Sequence, residues 1–259
     1  MTTRTPWLVS SKPNRRASVR LFCFPYAGGG DSIFRSWQEN LSEMIEVCPV
    51  QLPGRGSRIK EPACTEMNQL VRSAGDALAR HLDKPFAFFG HSMGALIGFE
   101  LARHLRSEYG TEPVHLFVSG RCSPQTMSEP FDPELLNSEL AQMLRGCNGT
   151  PEEVLEDPEL MELVLPIIRA DLALCKSYIY TAGLPFSFSI TAFGGLDDHG
   201  VPRHCIEGWR EHTTGPFVLR MLRGDHFFLN TSRLPLLEAI SKELEQDMRG
   251  KRISHCGVT

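Results

Sequence analysis

A serine flanked by glycines is the clearest chemical feature of this sequence. The apolar residues 86–89 are followed by Gly90-His91-Ser92-Met93-Gly94, and a segment of helical period begins at Met93. A strand, the pattern GxSxG and a helix in this order form the context that a nucleophile elbow requires. Side chains at positions 90 and 94 would collide with the neighbouring strand and helix, so Gly90 and Gly94 are needed there. We therefore predict that Ser92 is a nucleophile, rather than an incidental serine in a glycine-rich turn.

A serine hydroxyl needs a base that accepts its proton and a carboxylate that orients the base. His226 follows the last predicted strand on the loop Gly224-Asp225-His226, which begins with glycine and could reach over the sheet edge. Most other histidines lie in or beside predicted helices and strands, where a solvated or core histidine is the simpler interpretation. We predict His226 as the base and expect Asp225 to fix the loop.

Two adjacent aspartates compete for the role of the acid. Asp197 and Asp198 lie in the loop after the preceding predicted strand, between the nucleophile and the base along the chain. The order serine, acid, histidine is the one found in α/β-hydrolases. We predict Asp198 as the acid, with Asp197 as the alternative.

The fourth part of such a site is a pair of backbone N–H groups that bind the oxyanion. One donor is expected from Met93, directly after the nucleophile, and the other from Ala27 in the glycine-rich loop 24–30. A glycine-rich loop could instead cradle phosphate. However, neither GxGxxG nor GxxxxGK[ST] occurs here, so a nucleotide site is poorly supported.

Short apolar runs alternate with longer segments of helical period, which predicts an α/β fold with a mostly parallel sheet flanked by helices. The predicted strands are 19–24, 47–52, 86–90, 114–119, 188–193 and 217–222. The predicted helices are 34–44, 67–81, 93–109, 203–211 and 234–248. Because the strands are nearly all apolar, we expect both faces of the sheet to be covered.

An insertion at about 121–185 interrupts the alternation of strands and helices. It predicts two or three helices, at 133–145, from Pro151 and at 159–180, and no strand. Its position at the carboxyl ends of the strands favours a lid over the site. The alternative is a surface insertion without a role in the site.

Composition excludes several classes of protein. The chain has 259 residues, 41% hydrophobic residues and a net charge of −4, which is typical of one α/β domain over 1–259 without affinity for nucleic acid. We expect no membrane helix, because no apolar run approaches about 18 residues. With no secretory signal visible, a cytoplasmic location is expected, and the eight cysteines are predicted to be reduced. Neither a metal nor a cofactor is expected.

Several segments together resemble the type II thioesterases that accompany nonribosomal peptide and polyketide synthases, members of the α/β-hydrolase superfamily. The resemblance runs from about residue 21 to 237. The matching segments are Phe24-Pro25-Tyr26-Ala27-Gly28-Gly29, Phe34-Arg35-Ser36-Trp37, Gln51-Leu52-Pro53-Gly54-Arg55-Gly56-Ser57-Arg58, Gly90-His91-Ser92-Met93-Gly94, Pro166-Ile167-Ile168-Arg169-Ala170-Asp171 and Gly224-Asp225-His226-Phe227-Phe228. The family's acid usually stands in a pattern like Asp-Pro-x-Val, with which Asp198-His199-Gly200-Val201 aligns except at His199.

The resemblance implies an enzyme that removes misprimed or stalled acyl groups from the phosphopantetheine arm of a carrier protein, through an acyl-serine intermediate. It implies that the lid supplies an acyl pocket, with Met127, Phe131, Leu140 and Leu174 as liners or as residues that hold the lid helices together. The alternatives are a medium-chain fatty-acyl thioesterase, a carboxylesterase or lipase, and a non-catalytic partner that only binds the carrier. A monomer is expected.

A small basic cluster follows a Pro-Gly turn and consists of Arg55, Arg58 and Lys60. Carrier proteins are usually acidic, so a docking contact for the carrier is one interpretation of this cluster. An ordinary solvated loop is the other, and the sequence favours it.

Overall fold

Six apolar runs form one sheet in which every neighbouring pair of strands is parallel. The computed structural model describes residues 5–9, 14, 16–126, 133–147, 149–150 and 152–256. Its strands are β1 (Val19–Phe24), β2 (Ile45–Pro49), β3 (Phe86–His91), β4 (His115–Ser119), β5 (Ser189–Gly195) and β6 (Phe217–Leu222). Their order in the sheet is β2-β1-β3-β4-β5-β6.

Helices cover both faces of this sheet. They are α1 (Met67–Leu78), α2 (Met93–Tyr109), α3 (Asn137–Cys147), α4 (Glu152–Glu156), α5 (Pro158–Lys176), α6 (Arg203–Glu207), α7 (Phe228–Thr231) and α8 (Arg233–Cys256). Short 3-10 turns occupy Asp31–Phe34, Trp37–Glu39, Gly56–Arg58, Ala79–His81, Pro124–Thr126 and Gly208–His212. None of the described helices is long and apolar enough to cross a membrane.

The alternation of side chains along the strands divides the core into two layers. In β1, Phe22 and Phe24 pack on the face covered by α1 and α2. Leu21 and Cys23 point to the opposite face, where α8 covers the sheet. The five strands β1 to β5 are buried along their whole length, as predicted for a sheet covered on both faces.

The predicted helix at 34–44 is wrong, because the chain forms two 3-10 turns there instead. The side chain of Gln38 explains the difference. Its amide donates to the carbonyl of Ile45 at 3.0 Å and accepts from the N–H of Val47 at 2.9 Å, and so pairs with the free edge of β2. An edge strand has backbone groups that no neighbouring strand can bond. Here the carbonyl of Ile45 and the N–H of Val47 bond the Gln38 amide and hold residue 38 against β2.

The prediction that all cysteines are reduced is wrong for one pair. Cys122 and Cys205 form a disulfide, with Cα atoms 4.7 Å apart. Cys122 follows β4, and Cys205 lies in α6, which follows β5. Because β4 and β5 are parallel neighbours, the segments after them meet at the same edge of the sheet, although 83 residues separate the two cysteines. Cys23, Cys48, Cys64 and Cys175 are free.

Three helices, α3, α4 and α5, lie in the predicted insertion between β4 and β5. They share an apolar core of their own, formed by Leu140, Leu144, Leu155, Met161, Leu165, Ile168 and Leu172. Leu140 therefore holds the insertion helices together, whereas Leu174 packs into the core of the main sheet. Met127 and Phe131 lie outside the described residues.

Candidate active site

The turn at Ser92 joins β3 to α2 in a strained backbone conformation. Ser92 has φ +52° and ψ −112°, and it is the one non-glycine residue with positive φ in the described part of the chain. Its N–H donates to the carbonyl of Ser119 at 2.7 Å, which ties the turn to the end of β4. A side chain persists in such a conformation only when its surroundings enforce it, and such positions cluster at active sites.

The two glycines around Ser92 make this turn possible. A Cβ at Gly90 would overlap the carbonyl group of Gly94. A Cβ at Gly94 would overlap the carbonyl of Phe24 and lie 2.8 Å from that of Pro25. The obstacles are main-chain atoms, which cannot rotate away. The predicted reason for glycine at both positions is therefore correct: the turn is pressed against its own helix and against the end of β1.

Replacing Gly94 by alanine should destabilise the protein by about 3 kcal/mol or more, because the added methyl overlaps main chain at a packed site. Gly98, one turn further along α2, provides the matched control. A Cβ there would sit 3.5 Å from the Cδ1 of Leu116, an ordinary van der Waals contact. We expect Gly98→Ala to be neutral or to stabilise by up to about 1 kcal/mol, since alanine favours the helix. Urea denaturation measures both, and similar losses in the two variants would contradict this account.

His226 and Asp198 form a hydrogen bond. His226 Nδ1 lies 2.7 Å from Asp198 Oδ2. The other carboxylate oxygen of Asp198 accepts the N–H groups of Gly200 at 3.1 Å and Val201 at 3.2 Å. Asp198 is 9% exposed, whereas the side chain of Asp197 points to solvent. The structure thus places Asp198, and not Asp197, beside the histidine.

The parallel pairing of β5 and β6 brings these two residues together. Gly195 pairs with Leu222 at the carboxyl ends of the strands, so the loops that follow start side by side. Gly195 has no Cβ, and one placed there would overlap the carbonyl of Asp225. Asp225 Oδ1 accepts the N–H of Phe227 at 2.8 Å. Asp225 therefore fixes the loop that carries His226, as predicted.

The ring of His91 packs beside that of His226. The ring centroids are 5.1 Å apart, and His91 is fully buried, with Nδ1 2.9 Å from Ser119 Oγ. Burial, reinforced by the neighbouring His226, holds the pKa of His91 well below its ordinary value, so this ring stays neutral. Since residue 91 directly precedes Ser92, the contact places the His226 ring beside the elbow. The hydrogen bond between Ser92 Oγ and His226 Nε2 stays a prediction.

The predicted oxyanion donors lie on segments that touch each other. Met93 is the first residue of α2, so its N–H has no acceptor within the helix. The start of α2 abuts the loop after β1, as the close approach of Gly94 to Pro25 shows. In that loop the N–H of Gly28 donates to Asp171 Oδ2 at 2.7 Å and the N–H of Gly29 to the carbonyl of Tyr26 at 2.9 Å.

The insertion contacts both sides of this site. A Cβ at Gly28 would lie 2.7 Å from Ile168 in α5, so α5 packs on the predicted oxyanion loop. A Cβ at Gly149 would overlap the ring of Phe227, the residue after His226. The insertion thus packs against the loop after β1 and against the residue after His226. Its role as a lid stays a prediction.

The docking interpretation of the basic cluster is wrong for Arg55 and Arg58, because both guanidinium groups are buried and paired within the chain. Arg55, 5% exposed, forms a bidentate ion pair with Asp171 in α5. Arg58, 7% exposed, bonds the carboxylate of Glu61 and lies over the ring of Trp7. Their charges are therefore not available to a partner surface. Lys60 is exposed.

A cavity in the surface lies apart from the predicted catalytic residues. A cavity of about 740 Å³ opens between residues 133–137 and α5, and none of its lining residues is a predicted catalytic residue. Among the described residues, no group of three or more His, Cys, Asp or Glu side chains could hold a metal ion.

Comparisons with known proteins agree with this geometry. The thioesterase domain family matches residues 19–246. The gramicidin S biosynthesis protein GrsT of Aneurinibacillus migulanus is 48% identical over 239 residues, which are 92% of this chain and 93% of that protein. The medium-chain S-acyl fatty acid synthase thioesterase of Rattus norvegicus is 37% identical over 222 residues, 83% of each chain.

A solved structure shares both fold and sequence with this chain. The type II thioesterase BorB from the borrelidin biosynthetic cluster superposes with a TM-score of 0.86 at 34% identity, covering 94% of this chain and 100% of that one. The family match spans most of the chain, and the parallel sheet carries its serine on a strained turn at the end of β3. The chain therefore belongs to the thioesterase domain family and has the α/β-hydrolase fold, as its motifs predict.

Proposed function

We propose that this chain is an editing thioesterase, which hydrolyses misprimed or stalled acyl groups from the phosphopantetheine arm of carrier proteins in nonribosomal peptide or polyketide synthesis. Ser92 is the nucleophile, His226 the base and Asp198 the acid in this proposal. The observation that carries it is the hydrogen bond of 2.7 Å between His226 Nδ1 and Asp198 Oδ2. The ring of His226 packs against that of His91, the residue before Ser92. The greater identity to GrsT than to the fatty acid synthase thioesterase supports the choice of substrate.

The orientation of His226 determines which nitrogen acts as the base. Nδ1 faces Asp198 Oδ2, so an N–H on Nδ1 leaves the lone pair on Nε2 to accept the serine proton. Attack of Ser92 Oγ on the thioester carbonyl then forms a tetrahedral oxyanion and an imidazolium. Asp198 stabilises the imidazolium, while its second oxygen stays held by two backbone N–H groups.

The oxyanion binds the backbone N–H groups of Ala27 and Met93 in this mechanism. The positive end of the α2 dipole adds to the stabilisation at Met93. When the intermediate collapses, the C–S bond breaks and His226 returns its proton to the departing thiolate. Water then attacks the acyl-serine with His226 again as base, releasing the carboxylic acid and restoring Ser92.

A thiol leaves more readily than an alcohol, and this difference provides the test of the reaction. We expect kcat/KM for an acyl pantetheine thioester to exceed that of the oxygen ester with the same acyl group by at least about tenfold, because a thiol is a stronger acid than an alcohol and its anion is the better leaving group. Carrier proteins loaded with acetyl and longer acyl groups are incubated with the enzyme, and intact mass is read before and after. A preference for the oxygen ester would indicate a carboxylesterase instead.

The medium-chain fatty-acyl thioesterase is the second candidate, because a relative of that kind matches 83% of the chain. The same mass assay separates the two. An editing enzyme releases short and aberrant acyl groups from the carrier, whereas a sharp optimum at one medium chain length would favour the second candidate.

A further inference from the structure

We propose that Arg55 and Asp171 are positioning residues that hold the oxyanion loop, residues 26–30, so that the N–H of Ala27 points at the substrate carbonyl. The same pair joins this loop to the insertion helix α5. The inference rests on the proposed function for the role of Ala27, and neither Arg55 nor Asp171 touches the reacting atoms in it.

The two side chains bond two successive residues of the same short stretch of backbone. Asp171 Oδ2 accepts the N–H of Gly28 at 2.7 Å, and Arg55 Nη1 donates to the carbonyl of Gly29 at 3.0 Å. The side chains also bond each other, Nη1 to Oδ2 at 2.7 Å and Nη2 to Oδ1 at 2.5 Å. Every one of these bonds is charge-assisted, and such bonds are about twice as strong as neutral ones.

This arrangement determines the direction of the Ala27 N–H. Gly29 N–H donates to the carbonyl of Tyr26 at 2.9 Å. That carbonyl and the N–H of Ala27 belong to one planar trans peptide, so they point in opposite directions. Holding Gly28 and Gly29 therefore also holds the peptide plane that carries the predicted oxyanion donor.

Burial makes the pair rigid. Arg55 is 5% exposed and Asp171 is 1% exposed, so little water competes for the bonds. In addition, Ile168, one turn before Asp171 in α5, packs on Gly28. Gly28 has φ +79°, which only glycine adopts readily. A polar and an apolar contact from one face of α5 thus converge on a single residue of the loop.

The ion pair between Arg55 and Asp171 also gives a physical reason for the presence of two motifs that lie far apart in the sequence. Arg55 stands in the Pro-Gly-Arg-Gly segment and Asp171 in the Arg-Ala-Asp segment of α5, 116 residues apart. If α5 moved away from the sheet, both the Asp171 and the Ile168 contacts would be lost. The oxyanion hole is consequently complete only when α5 is seated on the loop.

The test compares Asp171→Asn and Asp171→Ala with the wild-type protein. Alanine removes every acceptor for Gly28, whereas asparagine keeps one oxygen and should rescue part of the effect. We expect kcat to fall about 10-fold for asparagine and about 100-fold for alanine, near the loss known for removal of one oxyanion donor, with KM changed less than about twofold.

Two ligands separate positioning from general damage. An acyl trifluoromethyl ketone reacts with the nucleophile to form a tetrahedral oxyanion, so its affinity should fall by the same factor as kcat/KM. The thioether analogue of the substrate has no carbonyl, and its affinity should not change. Glu46→Gln is the matched control. Glu46 lies on the edge strand β2 and its buried carboxylate pairs with Arg20, so this variant also removes a buried, paired charge. It should leave both affinities and kcat unchanged.

The proposal is overturned if Asp171→Ala keeps the wild-type affinity for the ketone, or if the affinities for ketone and thioether fall together. Thermal denaturation identifies any variant that does not fold. If Asp171→Ala does not fold, the affinities are compared between Asp171→Asn and the wild type. Failure of the proposed function has a different signature. The wild-type protein would then bind the ketone, and Ser92→Ala would abolish that binding, but the wild type would hydrolyse no acyl-carrier thioester. The ratio of the ketone affinities of the wild type and the Asp171 variants would still test the role of the Arg55–Asp171 pair.

Discussion

Replacing Ser92 by alanine should lower kcat for acyl-carrier hydrolysis by about 10⁴-fold or more, because no other group on the elbow can form the acyl intermediate. Residual turnover would come from the oxyanion hole and substrate binding alone. Alanine carries a Cβ as serine does, so the backbone strain at φ +52° should not increase in the variant, and the folded structure should persist. Loss of acyl groups from the carrier is followed by intact mass.

The control for this variant is Ser57→Ala, which changes an exposed serine in the 3-10 turn Gly56–Arg58 and should keep full activity. Binding of the acyl carrier, measured by calorimetry, should be retained in Ser92→Ala, since the hydroxyl contributes to the reaction and little to the binding of the ground state. If Ser92→Ala supported biosynthesis as well as the wild type, the chain would be a carrier-binding partner rather than an enzyme.

The parts of the fold with a local cause could be predicted from the sequence. The bounds of β1, β6 and α2 match the prediction residue for residue. At α2 the reason is local, because the turn at Ser92 directly precedes the helix and Gly110, at φ +60°, ends it. At 34–44 the periodicity was misleading, since the decisive bonds run from Gln38 to an edge strand.

Contacts between distant residues could not be predicted in this way. The sequence does not show that Arg55 is paired within the chain, because its carboxylate partner, Asp171, lies 116 residues further along. Cys122 and Cys205 have no local spacing that predicts a disulfide, since their proximity arises from the order of β4 and β5 in the sheet. For His91 the sequence favours a solvated or core histidine. It is a core residue, but its contact with the His226 ring depends on the tertiary fold.

The choice between Asp197 and Asp198 shows the same limit on a smaller scale. Both residues follow β5, and neighbouring side chains on a turn point in different directions. The backbone N–H of Asp197 donates to the carbonyl of Gly224 at 3.0 Å, which anchors the turn and leaves its side chain in solvent. Only the next side chain then faces His226. The alignment of Asp198-His199-Gly200-Val201 with the family's Asp-Pro-x-Val pattern favours Asp198. The physical reason why Asp198 turns inward, however, lies in contacts that the local sequence does not show.

Replacing Asp198 by asparagine should lower kcat by about 10⁴-fold, with little change in stability. An amide at this position can place its NH₂ group against Nδ1, which favours the tautomer with its proton on Nε2, and that nitrogen then cannot accept the proton of Ser92. The amide also lacks the charge that stabilises the imidazolium. Steady-state hydrolysis of an acyl pantetheine thioester measures the loss.

Asp197→Asn is the matched control, because it makes the same chemical change one residue away on an exposed side chain. It should keep kcat within about twofold of the wild type, as surface substitutions away from a site cost little. The two variants make the same change and differ only in which carboxylate is removed, so the ratio of their kcat values isolates the effect of the 2.7 Å bond between Asp198 and His226. A larger loss in Asp197→Asn than in Asp198→Asn would mean that the loop rearranges before catalysis and that the other carboxylate is the acid.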